Sequence, residues 1–404
     1  MAPAISEKEV LGLLHSRRSV PRDRVNDYTT DCADKRRKFL EDVAQVELNH
    51  VASYSFSPSV VRGNIENFIG VAQVPIGVAG PLTIHGEYAQ GEFYVPLATT
   101  EGALVASYNR GMRLLSACGG IKTTVVDDAM QRAPVFSFSD AVEAREFGVW
   151  IDEHLEEIRK KAEETTRIGR LKSINQFAVG PLRFLRFNYS TGDAAGQNMS
   201  SKATYAACEW IQRNYPRKCE YFLTGNIDTD KKHSHINVLS GRGKRVVAEA
   251  ILQRDLLHKY LHIDIADLAR MREVQMTGAF LAGASSNCAH AANGLAALFI
   301  ATGQDAANIA ESHAAITYTR SLPDGNFYWS ITLPSLIVAT YGGGTGLATQ
   351  RQCLELLGCY GAGKVQKFAE ICAAVVLAGE TSLVGAIVHG DWVTAHENLG
   401  RNRR

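Results

Sequence analysis

Hydrophobic and polar positions fall into successive textures along the chain. The first 60 or so residues are polar and predict helix. Apolar positions between Arg37 and Val51 recur near the helical period, beside the basic clusters Arg17–Arg18 and Lys35–Arg36–Arg37. From Asn67, apolar runs punctuated by Gly and Pro predict strands at Val74–Pro81 and Tyr94–Leu97. A small-residue helix is expected from Thr100 to Leu115, with Thr99 or Thr100 as its N-cap. Residues 134–222 differ again. Val135–Phe138 reads as a strand, Ser139–Lys161 as a charged amphipathic helix, Arg183–Tyr189 as period-two alternation, and Ser200–Tyr215 as helix. Strand-helix-strand-strand-helix-strand is the order of a split βαβ, ferredoxin-like unit. After Arg245 the chain is rich in Ala and Gly and mostly helical. The strand-like Phe327–Leu333 and the glycine loop 342–346 interrupt it.

The expected class is therefore α+β. An N-terminal helical region covers 1–66, a large helix-rich domain covers 67–133 and 223–404, and a small domain is inserted at 134–222. One stretch, Val274–Gln304, has no Asp, Glu, Lys or Arg and is long enough to cross a bilayer. It is built mainly of Ala, Gly and Ser and carries Asn287, His290 and Asn293, groups costly in lipid, so a buried helix of a globular protein is expected.

Composition narrows the function classes. With 404 residues, 46% hydrophobic and 21% charged, the chain is long and apolar enough for a sizeable core and is not of the disordered type. Lys and Arg number 43 against 42 Asp and Glu, a net charge of +1, which speaks against general binding to nucleic acid or a membrane surface. Any basic site must be local. The eight cysteines form no CxxC pair, and several sit in apolar helical patterns. They are expected to be reduced core thiols of a cytoplasmic protein. The N-terminus reaches Glu7 too early for a secretory signal.

Familiar motifs fail on inspection. Gly358–Lys364 has GxxxxGK spacing, but Val365 replaces the hydroxyl that would ligate Mg²⁺, and a helical pattern precedes it. Tyr341–Gly346 does not give GxGxxG in register, so no Rossmann site is supported. His258 and His262 have metal-pair spacing without further ligands, and no metal is implied. Four polar groups stand in less ordinary settings: Glu101 in an apolar run, Asp230–Lys231–Lys232, Asp305, and His396 near the C-terminus. Each has a bland alternative: a first-turn glutamate, a solvated loop, a helix or turn cap, and a tail residue.

Taken in order, the segments resemble the 3-hydroxy-3-methylglutaryl-CoA (HMG-CoA) reductase family, nearer its biosynthetic first-class branch. The likeness runs from Glu66 to Arg401. It rests on Glu66–Gly70 with Pro75–Leu82, Thr99–Ser107, Thr191–Met199, Asp230–Lys232 with Gly241–Lys244, His290–Asn293 running into Gly303–Asp305, and Gly342–Thr345. The resemblance implies reduction of HMG-CoA to mevalonate and CoA with two NADPH, for isoprenoid synthesis. It implies Lys231 as the cation that stabilises the oxyanion and His396 as the proton donor to the CoA thiolate. Glu101 would be the acid for the aldehyde oxygen, its proton held through burial, and Asp305 the carboxylate linking the two. Arg132, Thr224, Lys232 and Asn293 match substrate contacts. Asp228–Thr229 matches a non-proline cis bond.

For the cofactor, the resemblance implies a non-Rossmann site on the inserted domain. Asp193, Ala194, Gly196, Gln197, Asn198 and Met199 would meet the pyrophosphate at a helix start. Arg167, with Arg170 and Lys172 near, would favour the 2′-phosphate of NADPH, although Glu163 and Glu164 are close. Compared with eukaryotic members, the expectation is a free-standing enzyme of prokaryotic type without their membrane-spanning N-terminal region, with a trimmed catalytic fragment as the alternative, and without control at their regulatory serine after the catalytic histidine. A homodimer or higher homo-oligomer with active sites at the dimer interface is implied. The competing expectations are NAD-linked oxidation of mevalonate and a CoA-thioester-binding protein without redox chemistry.

Overall fold

The computed structural model describes residues 19–390 and divides the chain into two compact units, Met1–Val74 and Pro75–Arg404. The unit boundary thus falls after residue 66. In the first unit, helix α1 (Thr30–Ala44) begins and ends earlier than the Arg37–Val51 pattern predicts. Thr29 Oγ1 accepts the Cys32 amide at 3.1 Å to start it, and Gln45 in a left-handed conformation stops it. This unit closes around Arg36, which is buried, donates to the carbonyls of Pro21, Asp27 and Phe68, and pairs with the Asp27 carboxylate. A guanidinium is tolerated inside a protein when its donors are used in this way.

The second unit is a mixed fold of helices on an open sheet. Its strands are β1 (Ile76–Gly86), β2 (Gln90–Ala98), β3 (Ile121–Arg132), β4 (Val135–Ser137), β5 (Arg170–Val179), β6 (Leu182–Ser190), β7 (Glu220–Phe222), β8 (Gly243–Leu252), β9 (Ile316–Ser321) and β10 (Phe327–Leu336). Its helices are α2 (Leu104–Ala117), α3 (Ala141–Glu153), α4 (Leu155–Glu163), α5 (Gln197–Asn214), α6 (His235–Ser240), α7 (Arg254–Leu261), α8 (Ile265–Leu281), α9 (Ala291–Thr302), α10 (Ile309–Ser312), α11 (Ala348–Leu356) and α12 (Val365–His389).

The strands form one sheet in the order β7-β4-β6-β3-β8-β10-β9, with β1 and β2 attached at β3 and β5 at β6. Strand β3 joins its two halves. Its first residues pair in parallel with β1, its length pairs antiparallel with β8, and Met130–Arg132 pair with Phe187–Tyr189 of β6. The β7-β4-β6-β5 half has the antiparallel split-βαβ arrangement and its own core, including Phe136, Phe147, Leu185, Phe187 and Ile211.

The other core is built on α12. This helix is apolar all round and buried along most of its length, packing on α2, α9, β8 and β10. It is long and apolar enough to cross a membrane by length and composition, and its place in this core accounts for both. Two buried carboxylates interrupt it, and each collects backbone amides. Glu370 accepts from Glu87, Tyr88 and Ala89 in the β1–β2 turn, and Glu380 from Ala289 and His290 at the start of α9. Glycine permits close approach: a Cβ on Gly111 of α2 would lie 1.9 Å from the Ala378 carbonyl oxygen of α12, and one on Gly379 would lie 2.4 Å from the buried ring of Tyr108.

Local backbone chemistry moves several boundaries. Helix α2 starts at Leu104, not Thr100, because Ala103 is left-handed (φ 67°). The single helix expected over Ser139–Lys161 is two, broken at His154, whose ring stacks on Trp150 at 4.2 Å. The uncharged stretch Val274–Gln304 is not one buried helix. Gly283 (φ 68°) follows the end of α8, α9 restarts at Ala291, and the end of α8 is open, with Phe280 88% and Leu281 87% exposed. Strands β8 and β9 occupy part of the region predicted as helical, and burial in β8 alternates with period two.

The Gly358–Lys364 segment leads into α12. There Asp193 accepts the amides of Gly363, Lys364 and Val365 at 2.8, 3.0 and 3.2 Å, a cap supplied from a distant loop. Asp193→Ala should therefore lower stability by about 1 kcal/mol, read as a lower urea midpoint at unchanged slope. An unchanged midpoint would show that the cap contributes nothing.

Candidate active site

Lys231 and Asp305 meet in an ion pair, Nζ to Oδ2 at 2.9 Å, at the surface of the chain. Lys231 lies in the loop between β7 and α6 with a left-handed backbone (φ 53°). Asp305 is placed by its neighbours. Gln304 exchanges two hydrogen bonds with Ala339, donating to its carbonyl at 3.0 Å and accepting its amide at 2.7 Å. Gly303 (φ 71°) lies so near Gly344 that a Cβ would fall 2.3 Å from its carbonyl oxygen. The glycine loop thus supports the turn carrying Asp305. The other Asp305 oxygen, Oδ1, accepts the Ala307 amide at 3.0 Å, so the capping role and the ion pair coexist. The hydrogen bond to Asp305 raises Lys231 above the ordinary lysine range, against a smaller opposing cost of burial. The ε-ammonium keeps its proton at neutral pH.

Glu101 occupies the turn before α2, where its amide donates to Thr99 Oγ1 at 3.0 Å. It is not in the first turn of the helix, and it is exposed rather than buried, because Ala103 turns residues 101–103 away from the helix axis. The burial expected of Glu101 is therefore not supplied by the described residues of this chain. Its partner is Asn293 on α9, Nδ2 to Oε1 at 3.4 Å. Among the described residues Asp305 pairs with Lys231 and makes no hydrogen bond to Glu101, so the expected three-way link is formed on one side only.

Asn293 Nδ2 also lies 3.2 Å from His290 Nδ1. An amide has two hydrogens to give, and a neutral imidazole accepts one at Nδ1. His290 is buried against Tyr108, with ring centroids 4.7 Å apart. Burial lowers it to about 4. These groups line a largely apolar cavity of about 560 Å³ between α2 and the end of α12, with Leu383, Ala386 and Ile387 on the far wall.

Beside the cavity lies an open recess of about 580 Å³ with a basic rim, lined by Asn109, Arg110, Arg113, Lys259 and Tyr260. Sequence reading alone did not single these residues out. Arg110 and Arg113 are i and i+3 on α2, a visible signal, but Lys259 comes from α7, and only the fold unites them.

Arg132 ends β3 and donates to Asp228 Oδ2 at 2.9 Å, with Asp230 at 3.7 Å. Thr224 Oγ1 donates to the same Asp228 oxygen at 3.1 Å, and Lys232 Nζ to the Asp230 carbonyl at 3.0 Å. Arg132, Thr224 and Lys232 are thus tied to the Lys231 loop. The expected cis bond at Asp228–Thr229 is not present. The cis bond among the described residues is Gly80–Pro81, and the 228–231 turn is made instead by left-handed Thr229 and Lys231.

In the inserted half, Gly196 (φ 80°) precedes α5, so Gln197, Asn198 and Met199 form its first turn. Ala194 accepts from Thr191 Oγ1 at 2.9 Å, and Gln197 donates to Asn308 at 2.8 Å. The Thr166–Gly169 turn lies alongside: a Cβ on Gly169 would meet Met199 Sδ at 2.3 Å, and one on Gly192 would meet Ile168 at 2.8 Å. Arg167 is exposed there and has no side-chain partner among the described residues. Glu163 accepts the Leu171 amide, Glu164 pairs with Lys161, and Lys172 pairs with Asp127. The neighbouring acids are therefore occupied. His396 and Arg401 lie outside the described residues. All eight cysteines are unpaired, and the described residues contain no cluster of three or more metal-ligating side chains.

The sequence pattern of the family described as hydroxymethylglutaryl-coenzyme A reductase matches residues 32–401. Curated 3-hydroxy-3-methylglutaryl-coenzyme A reductases are similar over most of their length. That of Pyrococcus horikoshii is 46% identical over 374 residues, 91% of each chain, and that of Methanocaldococcus jannaschii is 45% identical, over 91% of this chain and 92% of its own. The Camptotheca acuminata protein is 37% identical over 91% of this chain and 64% of its own. Among solved structures, the class II reductase of Streptococcus pneumoniae, bound to NADPH in open conformations, superposes with a TM-score of 0.67 at 19% identity. That match covers 90% of this chain and 99% of the other, a likeness of fold.

The buried histidine has a pH consequence. Its native value of about 4 lies below its ordinary 6.5, so the unfolded chain binds a proton that the native chain refuses. His290 therefore contributes stability that is full above 6.5 and is lost as pH falls toward 4. Its loss between about pH 7 and pH 5 should be about 2 kcal/mol. His290→Gln should flatten the urea-midpoint profile over that interval; an unaltered profile would assign the pH dependence elsewhere.

Proposed function

The chain belongs to the hydroxymethylglutaryl-coenzyme A reductase family, and from that premise we propose that it converts HMG-CoA, two NADPH and two protons into mevalonate, free CoA and two NADP⁺. The observation that carries the reading is Lys231, protonated and held on Asp305 at 2.9 Å in an open site. A fixed cation at that place lowers the energy of the oxyanion that develops when a thioester or an aldehyde carbonyl is reduced.

The residues of the inserted half fit a dinucleotide phosphate. The first-turn amides of α5 after Gly196 suit a pyrophosphate, the close approach at Gly169 and Gly192 leaves a flat backbone, and Arg167 is free of the neighbouring acids for a 2′-phosphate. When bound, the nicotinamide supplies the hydrides. The Asp193 carboxylate is spent on capping α12, so its part is to place the loop. Arginine here favours the NADPH-dependent biosynthetic direction over NAD-linked oxidation of mevalonate.

The substrate's two ends find different surroundings. To the HMG end we assign Arg132, Thr224 and Lys232 of the Lys231 loop, with Asn293 beside Glu101, because cations and donors suit a carboxylate. The apolar cavity and the basic recess at Arg110, Arg113 and Lys259 suit the pantetheine chain and the phosphates of CoA. Lys231 steadies the oxygen in both reductions, and Glu101, steadied by Asn293, gives the proton to the aldehyde oxygen. His396 protonates the departing CoA thiolate, a role suited to an imidazole near neutral pH. We also propose a homo-oligomer with this site at the subunit interface. The exposure of Glu101, Lys231 and Asp305 and the open apolar end of α8 support it. Unpaired thiols support a cytoplasmic place.

The test follows nucleotide oxidation with HMG-CoA while free thiol is measured. Two NADPH should be consumed for each thiol released; turnover without thiol release, or no turnover with NADPH or NADH, would sink the reading. Arg167→Ala should lower kcat/KM for NADPH about tenfold or more and leave NADH nearly unchanged, by loss of one charged contact to phosphate. Equal effects on both cofactors would remove Arg167 from the 2′-phosphate. Arg113→Ala should raise KM for HMG-CoA and spare reduction of the free aldehyde, which has no CoA phosphates; equal losses would reject the recess as the CoA end.

A further inference from the structure

Lysine seldom adopts a left-handed backbone, yet Lys231 has φ 53°, two residues after Thr229 at 56°. The direction of its side chain therefore depends on whatever keeps the backbone there. Asp305 grips only the far end of that side chain. The group at the backbone is Glu311, on α10 and fully buried. Its Oε1 accepts the Lys231 amide at 2.7 Å and the Arg242 Nε–H at 3.2 Å.

Arg242 is also fully buried and reaches past Glu311. It donates to Asp230 Oδ1 at 2.7 Å and to the Gln131 carbonyl at 3.0 Å, the residue before Arg132 on β3. The loop is thus held at Asp230 through its side chain and at Lys231 through its backbone, and both grips converge on one buried carboxylate–guanidinium pair. Among the described residues Glu311 Oε2 has no partner, an arrangement a merely space-filling residue would avoid. Asp305 and Glu311 belong to one short segment running from the end of α9 into α10, so one segment addresses both ends of the lysine.

We infer that Glu311 is a positioning residue for the reductive chemistry: backed by Arg242, it fixes the left-handed backbone at Lys231 and so aims the ε-ammonium at Asp305 and the reacting oxygen. The inference rests on the role proposed for Lys231 above. Two variants of the full chain test it. Glu311→Gln keeps an oxygen acceptor at the same reach, and Glu311→Ala removes it.

The alanine variant should lose about tenfold or more in kcat at a nearly unchanged KM for HMG-CoA, as expected for a misplaced catalytic group, and the glutamine variant should recover most of that loss. An alanine variant with wild-type kcat per folded chain would overturn the inference. So would a glutamine variant as impaired as alanine. Should the alanine chain not fold, the glutamine chain decides alone, and a loss of about tenfold or more in its kcat would overturn the inference. Crystal structures give a readout independent of turnover. In the alanine variant, or in its absence Glu311→Ser, Lys231 should leave the left-handed region and part from Asp305; an unchanged turn and ion pair would refute the role. A wild-type chain inactive toward HMG-CoA would instead reject the functional reading and leave the backbone claim to those coordinates.

Discussion

The ion pair between Lys231 and Asp305 joins two segments that are far apart in sequence, and its own strength cannot be what brings them together. Both side chains are more than two-fifths exposed, 44% and 43%, and a pair so placed contributes about 1 kcal/mol or less once solvent screening is counted. The geometry must come from beneath. Under the lysine it comes from Glu311 and Arg242, both at zero exposure, where loss of one partner strands a buried charge. Under the aspartate it comes from the Gly303–Gly344 contact and the reciprocal Gln304–Ala339 bonds. A weak pair on a stiff base suits catalysis, because the two charged ends stay open to a substrate and yet do not wander.

Helix α12 carries the same logic across the second unit. Its first turn is capped by Asp193 from the loop that leads into α5, its second turn anchors the β1–β2 turn through Glu370, and farther along Glu380 caps α9, which presents His290 and Asn293. Buried carboxylates placed against backbone amides are stable only when those amides stay put. The loop at Asp193, the apolar cavity at His290 and Asn293, and the hairpin before α2 are thereby fixed to one element. Strand β3 makes a second tie, since it belongs to both halves of the sheet and ends at Arg132.

Much of this is legible along the chain. Period-two and helical stretches in the correct order lay out the split βαβ half, and the long motifs bring Glu101, Lys231 and Asp305 to notice. What escapes is set by single backbone states. Left-handed Ala103 and the turn at Gly283 carry no periodic signature, so the start of α2 and the break between α8 and α9 are invisible to pattern. The alternation in β8 is present in Lys244–Leu252, but the buried Lys244 and the outward Val247 and Ile251 mask it. Partners drawn from distant segments are hidden more deeply. Glu101 bonds to Asn293 rather than sharing Asp305, and Lys259 reaches the recess of Arg110 and Arg113 only through the fold. Lone acids in apolar surroundings, Glu311, Glu370 and Glu380, were the signal available for the buried framework.

The role proposed for Lys231 has one fixed ammonium serve both reductions, since negative oxygen develops on the thioester and again on the aldehyde. The most direct measurement compares Lys231→Ala with wild type in two assays, HMG-CoA reduction and reduction of the free aldehyde, each followed by NADPH oxidation. In both, kcat should fall by about a hundredfold or more, the scale of losing a principal oxyanion stabiliser. A variant that loses thioester reduction but keeps aldehyde reduction near the wild-type rate would contradict that role.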